Sequence, residues 1–301
     1  MVFLIRCCNL ALTMANSDLY EFGQDWMQSE ISGLNCILTD EGFISFTYSY
    51  KKMGQNFVIT PPLAPHAFQL RSGQKAPVLE DIVDYINKNL ANGYIQLALK
   101  VDPKYRSRLS DYGFEVREKP NFVLDISRNI SDLKKELSST RRRHINKSER
   151  ELDIHFNRDR KKSFKLFRKT YLKGGLSVPE VFFEKLEKQE TGHKQILSEV
   201  YLDKNLLASN LCIVSGGVAY YLLGGVNTEI KNPHAGSYSL WNCILKAQEL
   251  GAVSFNFCGS SVPGIAKFFK SFGAQQQTLL EVKKGHKKID FIKKIKSSLS
   301  Q

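Results

Sequence analysis

The chain has 301 residues, 42% of them hydrophobic, and a formal net charge of +13 at pH 7. That length supports one large or two ordinary domains, and the apolar content excludes a disordered or fibrous chain. The charge implies attraction to polyanions, whether nucleic acid, an anionic membrane face or a phosphorylated cofactor, without choosing among them.

No apolar run reaches the length of a bilayer span, so no transmembrane segment is expected. The 6 cysteines (Cys7, Cys8, Cys36, Cys212, Cys243 and Cys258) form no CxxC pair. Three of them fall inside apolar strand or helix patterns, which predicts reduced thiols in a cytoplasmic protein with neither a disulfide frame nor a metal site. Residues 1–13 are apolar, but no basic residue precedes the run, Arg6 interrupts it and no small-residue cleavage site follows. The sequence therefore predicts translation from Met14 rather than a signal peptide.

In chain order, a short helix surrounds Trp26, and Leu34–Thr39 and Phe43–Tyr48 form a hairpin across Asp40, Glu41 and Gly42. Lys51–Gly54 turns into the strand Asn56–Thr60, after which Pro61, Pro62 and Pro65 stop regular structure. A helix begins near Pro77, carries Leu79, Ile82, Val83, Ile86 and Leu90 on one stripe, and ends at Asn92 and Gly93. Strand Tyr94–Lys100, a helix from Pro103, and Gly113 follow, then two extended runs ending at Ile126.

Leu133, Leu137 and Ile145 mark one helix over 131–151, with Arg143, Lys147 and Arg150 on a common face. Helices near Phe164–Tyr171 and Pro179–Gln189 precede strands Gln195–Tyr201 and Leu206–Val214. Val218–Leu223 pairs back across Ser215, Gly216 and Gly217, whose glycines supply the positive backbone angles of a short hairpin. After Gly224 and Gly225 a polar loop reaches Ser237, and Leu240, Trp241, Ile244, Leu245 and Gln248 recur at helical spacing until Gly251. Strand Ala252–Phe257, a turn over Gly259–Gly264 and a helix Ile265–Phe272 ending at Gly273 complete this stretch. Lys283–Lys296 is lysine-rich, and Ile289, Ile292, Ile295 and Leu299 predict a terminal amphipathic helix.

The order hairpin, strand, helix, glycine, strand, helix, glycine, strand occurs twice. Gly93 to Gly113 spans 20 positions and Gly251 to Gly273 spans 22. This predicts a duplicated α/β unit, each copy mixing strands and helices around its own sheet, with the division at 1–128 and 129–301.

The run Gly224-Gly225, Leu240-Trp241 to Ala247, Gly251, Phe255-Asn256-Phe257-Cys258-Gly259 and Phe269-Lys270-Ser271-Phe272-Gly273-Ala274 resembles the C-terminal pattern of the FemAB-like branch of the GNAT acyltransferase superfamily. The basic helix over 131–151 matches the one that opens that family's second domain. The resemblance implies an α/β mixed-sheet fold with two tandem GNAT-like domains. It also implies transfer of an acyl group from a thioester, acyl-CoA serving as co-substrate, to an amine. One departure stands out: family members often carry an acidic residue where this chain has Asn256. The family's long helical arm has no counterpart here.

In that superfamily a strand, loop and helix N-terminus bind the cofactor pyrophosphate, and free helix amides suit an anion. The matching cofactor-binding positions are Gly224, Gly225, Asn227 and Ser237, although two glycines at a strand end also make an ordinary turn. Lys267 and Lys270 resemble family positions near bound phosphates, and a solvated basic face accounts for them equally. His234, near the helix start, contacts phosphate, acts as a base or is solvated.

Tyr220 and Tyr221 alternate faces on a strand, one for the core and one for a cleft. We assign Tyr221 to catalysis, as donor to a leaving thiolate or an acyl carbonyl, and Tyr220 to substrate binding; packing is the other role for each. Asn256, at the carboxyl edge of the sheet, is the second catalytic candidate: its amide can stabilise an oxyanion but takes no proton at neutral pH. Capping the following turn is the alternative. Arg141, Arg142 and Arg143 are candidates for substrate binding, toward an acceptor phosphate, tRNA or an anionic head group, or are plain surface.

These observations define three readings. The first is an acyl-CoA-dependent transferase acting on a small-molecule or cell-envelope amine, with no metal. The second exchanges the donor for aminoacyl-tRNA, and the third is a catalytically silent, basic binding module on the same fold.

Overall fold

The computed structural model describes residues 23–26, 30–39, 43–52, 54–70, 79–90, 93–175, 178–192, 194–259 and 262–285. The segment 1–13, the turn at Asp40–Gly42, the helix start at Pro77, the helix end at Asn92 and the terminal helix over 289–299 lie outside the described residues. The described chain divides into two compact units.

The first unit holds Gly23, 32–119 and 278–285 among these residues. Its strands are β1 (Leu34–Leu38), β2 (Phe43–Lys52), β3 (Gln55–Ile59), β4 (Phe68–Leu70), β5 (Tyr94–Leu99) and the later part of β12 (Gln275–Lys284). They run in the order β1-β2-β3-β5-β12, with β4 beside β2 and β5. Between β3 and β5 lies α1 (Leu79–Tyr85), continued as a π-turn over Ile86–Leu90. Leu79, Ile82, Val83 and Ile86 are buried against Phe43, Leu97 and Leu99, so the stripe read from spacing is the core face. Pro103–Tyr105 is a 3₁₀ turn leading into α2 (Arg106–Asp111).

The second unit holds Gln24–Ile31 and Pro120–Gln277 where described. A single strand, β6 (Glu115–Asp125), replaces the two extended runs, and its part from Pro120 joins this unit. Pro120 sits near the middle of β6, and the strand continues through it. The expected 131–151 helix is two, α3 (Ile130–Glu136) and α4 (Ser139–Glu151). Leu137 between them is extended at ψ 136°, and the Ser138 hydroxyl accepts from Arg141 N at 3.2 Å, starting a new helix. Such a cap contributes about 1 kcal/mol.

The remaining elements are β7 (Asp153–Phe156), α5 (Arg160–Lys173), α6 (Glu180–Glu187), β8 (Lys194–Leu202), β9 (Asn205–Ser215), β10 (Val218–Val226), α7 (Ala235–Glu249), β11 (Ser254–Asn256) and α8 (Pro263–Lys270). The strand order is β6-β11-β10-β9-β8-β7. The β9–β10 turn uses Gly216 at φ 55° and Gly217 at φ 76°, as the hairpin spacing requires. Leu240, Trp241, Ile244 and Ala247 of α7 are fully buried in the main core with Phe255, Phe257 and Phe272. Burying each large apolar side chain contributes on the order of 1.5–3 kcal/mol.

Glu199 on β8 has no exposure, yet its carboxylate accepts from Asp159 N at 2.9 Å, Ser163 Oγ at 3.0 Å and Arg158 N. It thereby satisfies the free amides at the start of α5, where a negative charge is favoured.

Each unit contains an antiparallel hairpin, a crossover helix and a strand parallel to the hairpin's second strand: β2-β3-α1-β5 in one, β9-β10-α7-β11 in the other. This is the internal echo of the sequence. The strand closing each echo pairs elsewhere than a contiguous copy would have it. Leu280–Lys284 of β12 lies against β5, and β6 lies against β11, so the units are not contiguous in sequence.

Candidate active site

β10 and β11 are hydrogen-bonded in parallel only over Val218–Ser254, Ala219–Phe255 and Tyr220–Asn256. β11 ends there. Immediately beyond, the β9–β10 register shifts between Tyr221 and Leu223, so Leu222 is an extra residue and β10 bulges away. The carbonyl freed at Leu222 accepts from the Tyr171 hydroxyl on α5 at 2.9 Å. Burial pushes the Tyr171 phenol up, which keeps it a donor. Sequence reasoning missed Tyr171, since a single tyrosine on an amphipathic helix carries no local signal.

The bulge turns Tyr221 so that its hydroxyl lies 2.9 Å from the Asn210 amide. Burial pushes the Tyr221 phenol well up, with Tyr171 and the Cys212 and Cys243 thiols adding to the shift. Its ring meets Phe269 edge-on at 5.9 Å between centroids. Tyr220, buried at 3% exposure, takes the opposite face as alternation predicts.

Gly224 and Gly225 lie inside β10, which runs to Val226, rather than in the turn the sequence allows. A Cβ on Gly224 would sit 1.9 Å from the Tyr221 hydroxyl, and one on Gly225 would sit 2.9 Å from Leu166 Cγ. Close approach of a tyrosine and of α5 thus explains both glycines. Asn227 donates from its backbone to Leu207 O at 2.7 Å and from its amide to Leu206 O at 3.2 Å, fastening the end of β10.

Asn256 Oδ1 accepts from Cys258 N at 2.8 Å, capping the turn in which Cys258 and Gly259 have φ 57° and 74°. The Asn256 N–H groups have no partner among the described residues. The amide therefore combines the structural role with an available donor.

At the first turn of α7, Arg141 reaches across from α4. Its Nη1 donates to Ser237 Oγ and its Nε to Ser271 Oγ at 2.9 Å. The guanidinium carbon lies 4.5 Å from the Phe268 ring centroid and 5.1 Å from that of Phe272. Among the described residues no carboxylate lies within ion-pair distance of it, and burial alone pulls its pKa down. A half-buried cation at the positive end of a helix is electrostatically uncompensated and suited to an anion.

One helical turn along α4, the His144 ring meets His234 at 4.2 Å between centroids, and the Nδ1 atoms of both are buried without partners. Burial and then His234, Arg141 and Arg143 lower the His144 pKa; burial and then Lys147 lower that of His234. Asn232 Oδ1 accepts from His234 N and Ala235 N, both at 3.0 Å, ordering the loop. His144 and Ser271 join this cluster only through the fold.

The structure thus gathers Arg141 with Ser237, and separately Tyr221 with Gly224 and Tyr220 with Asn256. Arg142 donates to Leu137 O at 3.5 Å and lines a shallow groove on the outer face of α4 with Arg143, Lys147 and Arg150. Lys267 is exposed on α8, and Lys270 Nζ lies 5.8 Å over the Phe122 ring. Among the described residues no group of three or more His, Cys, Asp or Glu side chains is placed to hold a metal ion. No helix among them is long and apolar enough to cross a membrane.

Residues 126–270 match the family model of the acetyltransferase (GNAT) domain. Among solved structures the chain is similar to FemX, at 14% identity and a TM-score of 0.63, covering 89% of this chain and 93% of that one. It is also similar to the C-terminal domain of a putative lysylphosphatidylglycerol synthetase from Agrobacterium fabrum, at 11% identity and a TM-score of 0.56, covering 95% and 92%. L-PGS from Bacillus licheniformis is similar at 11% identity and a TM-score of 0.55, covering 91% and 89%. No curated protein matches the sequence. Residues 126–270 are therefore a GNAT acetyltransferase domain. The chain has a mixed α/β fold that it shares with FemX.

Proposed function

We propose that this chain is an N-acyltransferase that takes its acyl group from an acyl-CoA thioester and passes it to a small-molecule or cell-envelope amine in a ternary complex. The observation that carries the reading is Arg141, held by Ser237 and Ser271 at the first turn of α7 with no carboxylate partner among the described residues. There the donor phosphates complete the charge balance, with Lys267, Lys270 and the helix amides nearby in sequence and fold.

The amine lone pair attacks the thioester carbonyl carbon, and the Tyr221 hydroxyl donates to the oxyanion that forms. The C–S bond then breaks, and the amine proton passes to the leaving thiolate, directly or through water. A high phenol pKa keeps Tyr221 protonated throughout as a hydrogen-bond donor. The free thiols of Cys36, Cys212, Cys243 and Cys258 favour a reducing compartment such as the cytoplasm.

A second reading keeps the site and makes aminoacyl-tRNA the donor. The exposed row Arg142, Arg143, Lys147 and Arg150 favours it, because it suits a phosphate backbone. Thermal unfolding with CoA, acetyl-CoA and charged tRNA separates these readings, since a ligand of the native state raises Tm by mass action. A rise with acetyl-CoA supports the first, a rise with charged tRNA alone supports the second, and no rise supports a silent binding module.

A further inference from the structure

Asn210 is 4% exposed, in the middle of β9, with Ser198 of β8 on one side and Gly224 of β10 on the other. Its amide can face either way, and one orientation gives every atom a partner. Oδ1 then accepts from Leu240 N at 3.0 Å and Ser239 Oγ at 2.8 Å, while Nδ2 donates to Ser209 O at 3.3 Å and to the Tyr221 hydroxyl oxygen at 2.9 Å. In the opposite orientation Oδ1 accepts from the Tyr221 hydroxyl at 2.9 Å, but Nδ2 faces the donors Leu240 N–H and Ser239 Oγ–H and reaches only Gly236 O, at 3.4 Å.

The satisfied orientation belongs to a longer chain in which all the donors run one way. Cys243 Sγ donates to Ser198 Oγ at 3.2 Å, and Ser198 Oγ lies 2.6 Å from Ser239 Oγ; with the Ser239 proton committed to Asn210, Ser198 is the donor of that pair. Ser239 donates to Asn210, and Asn210 donates to Tyr221. Each bond polarises the next, and Tyr221 stands at the end. Its oxygen is taken as an acceptor, so its own proton points away from Asn210, and no described residue accepts it. The missing side chain of Gly224 and the Tyr171 bond to the bulge carbonyl hold the ring where this happens.

We propose that Asn210 is a positioning residue: by donating to the Tyr221 oxygen it directs the Tyr221 proton toward the carbonyl oxygen of the bound acyl donor. The direction of the proton follows from the hydrogen bonds alone; its target rests on the acyl-CoA reading.

Neutron diffraction from the deuterated protein tests the first part. Deuterium on Asn210 Nδ2 aimed at the Tyr221 oxygen is expected, and a Tyr221 deuterium aimed at Asn210 overturns the proposal. Calorimetric titration of acetyl-CoA and of S-ethyl-CoA, which lacks the carbonyl, tests the target. The preference for acetyl-CoA is expected to fall roughly three- to tenfold in Asn210→Asp, whose carboxylate captures the proton, and in Tyr221→Phe, which lacks it. An unchanged preference in Tyr221→Phe overturns the target even if Asn210→Asp fails to fold. Binding of neither compound to the unaltered protein refutes the acyl-CoA reading, while the deuterium positions still decide the role of Asn210.

Discussion

Gly224 lies directly beneath the Tyr221 hydroxyl, three residues along the same strand, where an added Cβ would sit 1.9 Å from the oxygen. The contact is available only because Leu222 bulges out of the β9–β10 ladder. Gly224→Ala is accordingly expected to push the tyrosine out of place and to destabilise the second unit by about 1–3 kcal/mol, the range for overpacking. Urea unfolding measures the loss. Stability equal to the unaltered protein, with the Tyr221 ring unmoved in a crystal structure, would refute the role of this glycine.

Arg141 stacks on Phe268 and Phe272 and bonds to two serines, so its removal and its conservative replacement should differ little for a phosphate ligand. Lys keeps the charge but neither the planar stack nor the fork. Both Arg141→Ala and Arg141→Lys are expected to weaken CoA binding by tenfold or more, corresponding to about 1.5–3 kcal/mol for a charged hydrogen bond. Full affinity in Arg141→Lys by calorimetry would show that charge alone suffices.

His66 is fully buried and its pKa falls to about 3, through burial first and then the positive charge of Lys100. The folded value lies below the ordinary imidazole value of 6.5, so the unfolded chain binds the proton more readily. Its contribution is complete above about pH 6.5 and is lost as pH falls toward 3, amounting to at most about 5 kcal/mol. Unfolding free energies of the first unit, followed from pH 7 to pH 4, should flatten in His66→Gln relative to the unaltered protein. Parallel pH curves for the two would overturn this.

Glu199 holds the start of α5 through three donors while fully buried. Glu199→Gln removes the charge and turns one acceptor into a donor facing donors. A loss of about 2–4 kcal/mol is expected, with early loss of amide protection around Ser163 in hydrogen exchange. Uniform protection across α5 would argue against it.

Much of this protein is decided locally. The periodicity of Leu240, Trp241 and Ile244, the glycines after Ser215 and the repeated order of parts follow from side-chain spacing and backbone freedom, so they are legible in one dimension. As candidates, Tyr221 stands out by alternation along its strand, Asn256 by a strand end, Ser237 by a helix start and Arg141 by its basic cluster. What the tertiary structure alone decided is pairing across distance. β12 returns to β5, Arg141 meets Ser271 over 130 residues, and His144 meets His234. Gly224 and Gly225 read as a turn because a missing side chain looks the same whether it frees the backbone or makes room for a neighbour. Only the neighbours, Tyr221 and Leu166, distinguish the two.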